Sequence, residues 1–311
     1  MTLAESWRKN WPEVRAAGTG GLPAFVLSPR PAEIGDGVPV FCYHVVDRET
    51  FEADLDFLRS NGYTTIDADA LLLHITGDAP SPPRSVVLTF DDGAVNLYRV
   101  AYPLLRAYGL TATAFIVPRY HDAAGDRGSV RAGGVADTGG TPLDDDLRPC
   151  TWAEVREMHS AGVIRFESHT YEHRYVPAWP EPVPMTGIDE SWTRVAVGVP
   201  GDMRTDFESA RSAIEARLGS TVRHLAFPRF DGTPHAVAIG REVGYRGFWW
   251  GVQPGVDMNR PGGDPARIVR LNGDLLRRLP GDGRVSLAEV LSRRARGRRG
   301  RGRSPGFASG S

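Results

Sequence analysis

The sequence predicts a parallel α/β fold, and three observations carry that expectation. Short apolar runs recur near residues 38, 86, 112, 163, 223, 245 and 267. Most are separated by segments of helical period, the alternation that builds parallel sheets. Several runs also end in polar, chemistry-bearing residues, as strands of α/β proteins do at their carboxyl ends. Seven such units suit an irregular barrel and an open sheet equally well.

The first strand is Val38–Tyr43. After it, FEADLDFLRSNG places Phe51, Leu55 and Leu58 at i, i+4 and i+7, a helix ended by Gly62, and ADALLLHITG reads as a second helix. SVVLTFDDG, residues 85–93, is the stretch on which the rest depends. Val86, Val87, Leu88 and Phe90 form the run expected of a strand buried on both faces, and it stops at Asp91 and Asp92. Gly93 allows the turn, and AVNLYRVAYPLLRAYG reads as a helix closed by Gly109. A strand follows at 111–117, then a polar, Gly-rich loop from Arg119 to Pro149. Thr151 and Glu154 make a capping box for a helix closed by Gly162, and VIRFES runs as a strand into His169. A second loop, 174–202, carries Trp179 and Trp192. A second capping box, Thr205 to Glu208, is read as opening the next helix, and the strand 223–227 follows it. Thr233-Pro234 starts a helix ending at Gly244, and strands are read at 245–250 and 267–271.

With 311 residues the chain can bury a substantial core, and 41% apolar with 24% charged residues is ordinary for a globular protein. No apolar run approaches about 18 residues, so no membrane span is expected. The amino end, MTLAESWRKNWPEVRAAG, lacks the apolar centre of a secretory signal, which makes the cytoplasm the expected location. Residues 292–311 hold seven arginines and no acid, so the −1 of the whole chain leaves −8 on residues 1–291. That acidity argues against a nucleic-acid-binding domain, and the Arg/Gly-rich tail is expected to be disordered. The organisation read from this is a lead-in, 1–37, a folded unit, 38–291, and the tail, 292–311. Cys42 and Cys150 are too few for a thiolate metal cage.

Three strand ends carry chemistry. Asp91 and Asp92 offer two carboxylates. In FESHTYEHRY, His169 and His173 lie four apart, so two imidazoles one helical turn from each other could meet at one metal ion, with an aspartate as third ligand. In HLAFPRFDG, Pro228 fixes the backbone before Arg229, whose N–H could face a developing oxyanion.

Taken in this order, TFDDG at 89–93, SHTYEH at 168–173 and the Phe227-Pro228 segment resemble the polysaccharide deacetylases of carbohydrate esterase family 4, the NodB-homology enzymes. VPVFCYHVV resembles the entry segment of the exopolysaccharide-deacetylase branch, and the resemblance spans roughly residues 38 to 275. It implies an irregular (β/α)7 barrel and metal-dependent hydrolysis of an N-acetyl group on an amino-sugar substrate. Carried over by position, it makes Asp92, His169 and His173 ligands of one divalent ion, zinc by preference, and Asp91 the general base. Two family residues are missing: Asn272 stands where a late histidine would serve as general acid, and Ala226-Phe227 stands where an arginine would precede the proline turn. His44 at the end of the first strand is the substitute acid, and Arg229 or Arg270 the substitute arginine. Trp249 and Trp250 are candidate faces for sugar stacking. The other readings are a barrel that binds carbohydrate without turnover, and a hydrolase of another amide such as a formamide or cyclic imide.

Overall fold

The chain gathers its polar strand ends on one rim. The structure, a computed structural model, describes residues 15–16, 18–124, 147–181, 183–189, 192 and 201–301. Its strands are β1 (Val40–Tyr43), β2 (Thr64–Thr65), β3 (Ser85–Asp92), β4 (Ala112–Ile116), β5 (Ile164–Ser168), β6 (His224–Ala226), β7 (Gly247–Trp249) and β8 (Leu271–Asn272). All pair parallel in the order β7-β6-β5-β4-β3-β1-β8, with the two-residue β2 added beside β3. Ile268 bridges Trp249 of β7, while Leu271 and Asn272 pair with Phe41 and Cys42 of β1. Residues 268–272 therefore touch both edges of the curled sheet, and the architecture is the irregular (β/α)7 barrel.

Alternation along each strand sorts the core into two layers. Val86, Leu88, Phe90, Ala112, Ala114, Phe248 and Leu271 join the outer layer under the helices. Val40, Val87, Phe115, Ala226, Trp249 and Ile268 fill the barrel. Helix α2 (Ala68–Thr76) plugs its floor with Ala68, Leu71 and Ile75. A filled, floored barrel leaves only the carboxyl-end rim for chemistry.

The helices follow local signals. Helix α1 (Arg48–Ser60) buries Phe51, Leu55 and Leu58, and Asp47 caps it. After β3 a π-helical turn, Leu97–Ala101, leads into α3 (Tyr102–Tyr108), where Pro103 has no N–H to give. Helix α4 (Pro118–Ala124) occupies the start of the expected long loop, and residues 125–146 lie outside the described residues. Helix α5 (Trp152–Ser160) shows both bonds of the Thr151–Glu154 capping box. Helix α6 (Met203–Leu218) corrects one reading: its cap is Asp202, which accepts from the Thr205 N–H, because the nearer Asp takes the cap and leaves Thr205 inside the first turn. Helix α7 (Pro234–Val243) is capped by Thr233. Helix α8 (Leu287–Arg301) runs into the stretch expected to lack structure, where Arg293 pairs with Glu289 one turn back and Arg294 reaches Asp274. Residues 302–311 lie outside the described residues. No helix among the described residues is long and apolar enough to cross a membrane.

Phe25 and Val26 of the lead-in are buried in the outer layer. Arg278, almost fully buried, donates to the carbonyls of Val26, Ser28 and Val285, and Arg284 donates to those of Phe25, Ser28 and Pro29.

Candidate metal centre and active site

Successive strand residues point to opposite faces, so Asp91 and Asp92 can both reach the rim centre only if the second leaves the strand conformation. It does: Asp92 has φ 73°, a left-handed angle that a short polar side chain tolerates. Gly93, at φ 71°, completes the turn against the His121 ring, 2.6 Å from where a Cβ would stand.

The histidines reach the site on an irregular loop. Thr170 and His173 take left-handed angles, 67° and 54°, so the expected helical turn is absent and the loop itself aims the rings. The ring centroids lie 4.9 Å apart. His169 Nδ1 donates to the Ala226 carbonyl and His173 Nδ1 to that of Val183, each at 2.8 Å. With both Nδ1 atoms donating, each neutral ring presents its Nε2 lone pair, and the two Nε2 atoms face Asp92 Oδ1 at 3.5 and 3.2 Å. Asp92 Oδ2 accepts from the Thr186 N–H, but Oδ1 is buried with no hydrogen-bond partner. Three acceptors converging on one point, one of them orphaned, are a donor set fitted to a cation.

Electrostatics agree. Burial opposes ionisation of Asp92, yet His173, with His44 and His169, holds it well below the carboxylate range. Burial pushes His169 down to about 4, which keeps that ring neutral. At His173 burial acts the same way, but the Asp92 carboxylate outweighs it and raises the pKa, so a proton competes with a cation for that Nε2.

Asp91 is set differently. Its Oδ1 accepts from Arg270 Nη1 at 2.7 Å, and its Oδ2 lies 3.8 Å from His169 Nε2. Burial is offset by Arg270, then by His169 and His44, so Asp91 is held ionised. Arg270 lies between the Phe115 and Phe230 rings, 5.4 and 4.9 Å from their centroids, and donates Nε to the Trp250 carbonyl. The arginine missing before the proline turn is thus supplied from across the barrel. Arg229 does not supply it: its exposed side chain lies over Tyr175, directed there by φ 56°.

His44 is half-buried on this rim, edge-on to Phe230 at 5.8 Å, and within electrostatic reach of both aspartates. The stacking expectation fails on packing for Trp249. Trp249 is fully buried inside the barrel, donating Nε1 to His224, and Trp250 packs on the outer layer with its Nε1 on the Ala266 carbonyl. Trp249 therefore offers the rim no face for a sugar ring. Pro228 is buried at the turn beside the site. Cys42 and Cys150 are free and buried, and burial raises both thiols, Cys150 to about 12.

Sequence reasoning missed Phe230, which touches both Arg270 and His44, and the carbonyl of Val183 and N–H of Thr186. No motif marks such residues, because their roles come from tertiary contact. A second group of potential ligands, Asp69, Glu167 and His224 at the opposite end of the barrel, is already satisfied. Arg165 and Arg223 pair with its carboxylates, and His224 Nδ1 accepts from Trp249, which leaves its proton on the Nε2 that faces Asp69.

The chain is similar to known proteins across this region. YxkH of Bacillus subtilis is 32% identical over 158 residues, covering 48% of this chain and 47% of that one. The poly-beta-1,6-N-acetyl-D-glucosamine N-deacetylase of Escherichia coli K12 is 31% identical over 119 residues, 38% of this chain and 16% of that one. The chain thus spans half or less of the length of these curated relatives. In three dimensions it resembles IcaB from Ammonifex degensii, with 24% identity and a TM-score of 0.56 over 83% of this chain and 97% of that one. The BpsB deacetylase domain of Bordetella bronchiseptica gives 24% and 0.54 over 77% and 97%. The family model described as polysaccharide deacetylase matches residues 78–248, a span holding both aspartates, both histidines and the proline turn. By that match over more than half its length, the chain belongs to the polysaccharide deacetylase family.

Proposed function

We propose that this chain is a metal-dependent N-deacetylase that removes the acetyl group from an N-acetylated amino sugar, in a polysaccharide of the kind its relatives are named for or in a shorter saccharide. The single observation behind this reading is the orphaned Asp92 Oδ1 facing the Nε2 atoms of His169 and His173, with a second carboxylate, bonded to Arg270, beside it. Asp92, His169 and His173 would hold one divalent ion, zinc being suited to such a nitrogen and oxygen set. When bound, that ion supplies Lewis acidity toward water and the amide carbonyl.

The chain's own residues do the rest. Asp91, kept ionised by Arg270, takes a proton from the attacking water. His44 gives a proton to the amide nitrogen as the C–N bond breaks and the amine departs. Pro228 fixes the turn that presents the Arg229 N–H to the carbonyl oxygen as it gains charge.

The test is metal content together with acetate release from N-acetylglucosamine oligomers and small N-acetylated sugars, for wild type and Asp91→Asn. About one ion per chain in both, with acetate from wild type alone, is the expected result. No metal under zinc-replete conditions overturns the ligand set. Metal without acetate, but with formate or ring opening from other amides, moves the reading to another amide hydrolase. Binding without turnover on the whole panel supports a carbohydrate-binding barrel, the reading that Asn272 in place of a late histidine favours.

A further inference from the structure

The loop from His169 to His173 has to hold two rings on one point, yet none of its N–H groups from 170 to 173 makes a helical bond. The Thr170 N–H goes to Ser168 Oγ at the end of β5 and that of His173 to Thr170 Oγ1 within the loop, both local contacts. The middle two go elsewhere. The Tyr171 N–H donates to Asp206 Oδ1 at 2.8 Å and the Glu172 N–H to Asp206 Oδ2 at 3.0 Å. Asp206 sits in the first turn of α6, is 5% exposed, and forms no ion pair among the described residues. Burying a carboxylate without a cation is unfavourable unless its oxygens are well bonded, and here the bonds are to two consecutive amides between the histidines. Two non-glycine residues with positive φ flank those amides, so the loop's shape is not one its local sequence prefers.

We propose that Asp206 is a positioning residue of the metal centre, clamping the 169–173 loop so that both imidazoles face Asp92. This rests on the metal reading above. Removing the clamp frees the loop to relax at Thr170 and His173, which swings the His173 ring first, since its other tether is a single carbonyl on a neighbouring loop. Metal affinity falls as a result, in the range of about 10- to 100-fold typical of lost supporting contacts around metal ligands.

The experiment is zinc affinity by competition with a chromophoric chelator, and the visible spectrum of the cobalt-substituted protein, on the full chain. Asp206→Asn keeps the volume but sets an NH2 against one of the two amides. Asp202→Ala, which removes the cap of the same helix without touching the loop, controls for stability. The expected result is a 10- to 100-fold weaker zinc complex and an altered cobalt spectrum in Asp206→Asn, with Asp202→Ala near wild type. Equal affinity within twofold in folded Asp206→Asn, or equal weakening in Asp202→Ala, overturns the proposal. If the Asn variant does not fold, Asp206→Glu, which keeps the charge but lengthens the side chain, is read the same way. Absence of zinc from wild type would overturn the ligand set itself, a result distinct from equal binding by wild type and variant.

Discussion

Individual side chains at the rim divide the work, and each division has a measurable edge. Arg270 is buried, sandwiched between two rings, and bonded to the base. Replacing it with Gln leaves Asp91 buried without its cation, so Asp91 titrates at higher pH. Because the base must be ionised to act, the acid limb of the kcat/KM profile moves to higher pH, and loss of one partner of a buried pair lowers stability by about 3–5 kcal/mol. A pH profile and a denaturant melt read the two effects separately. His44→Ala is expected to lower kcat by about 10²- to 10⁴-fold with metal content unchanged, as loss of a proton donor should. Unaltered turnover would remove His44 from the reaction. Gly93→Ala brings a methyl against His121 at a left-handed backbone position, and a loss of about 1–3 kcal/mol in a thermal melt is expected.

Elements matter here for what they hold against the barrel. Helix α1 carries Asp54, buried against Tyr43 and Arg277; burial, only partly offset by Arg277, lifts its carboxyl to about 7. An unfolded Asp titrates near 3.9, so between about pH 4 and 7 the folded protein holds the extra proton and stability contributed here falls as pH rises. Asp54→Asn removes that linkage. Its unfolding free energy should fall less steeply across this window, by at most about 1.4 kcal/mol per pH unit, and equal slopes in urea melts at pH 4.5, 5.5 and 6.5 would refute the assignment. The strands hold the site by register instead. Ser168 pairs with Leu225 of β6, which brings the Ala226 carbonyl within reach of His169 Nδ1 and so selects the tautomer.

At the scale of the whole molecule, the barrel's closing segment and the arginines after it tie the chain's early and late parts together. Arg278 and Arg284 bond only to carbonyls in the contacts described above, mostly those of residues 25–29. Arg278→Met should therefore strand several buried acceptors and cost about 2–4 kcal/mol, seen as a lower melting temperature with the metal centre intact. The sequence alone determined much of the architecture: seven apolar runs, the two-face burial of the run that ends at Asp91, and both helix-start signals at Thr151 and Thr233, because periodicity and caps are local and write themselves into neighbouring residues. It also made the pairing of Asp-Asp with His-x-x-x-His legible, since those residues fall where strands must end. What it left open was decided by contact between distant segments. Only the folded chain shows that Arg270 rather than Arg229 meets Asp91, that Trp249 belongs to the core, that Asp202 rather than Thr205 caps α6, and that a loop held by Asp206 replaces a helical turn between the histidines. Those choices depend on which side chains a closed barrel brings within about 3 Å of one another, and no local pattern encodes that distance.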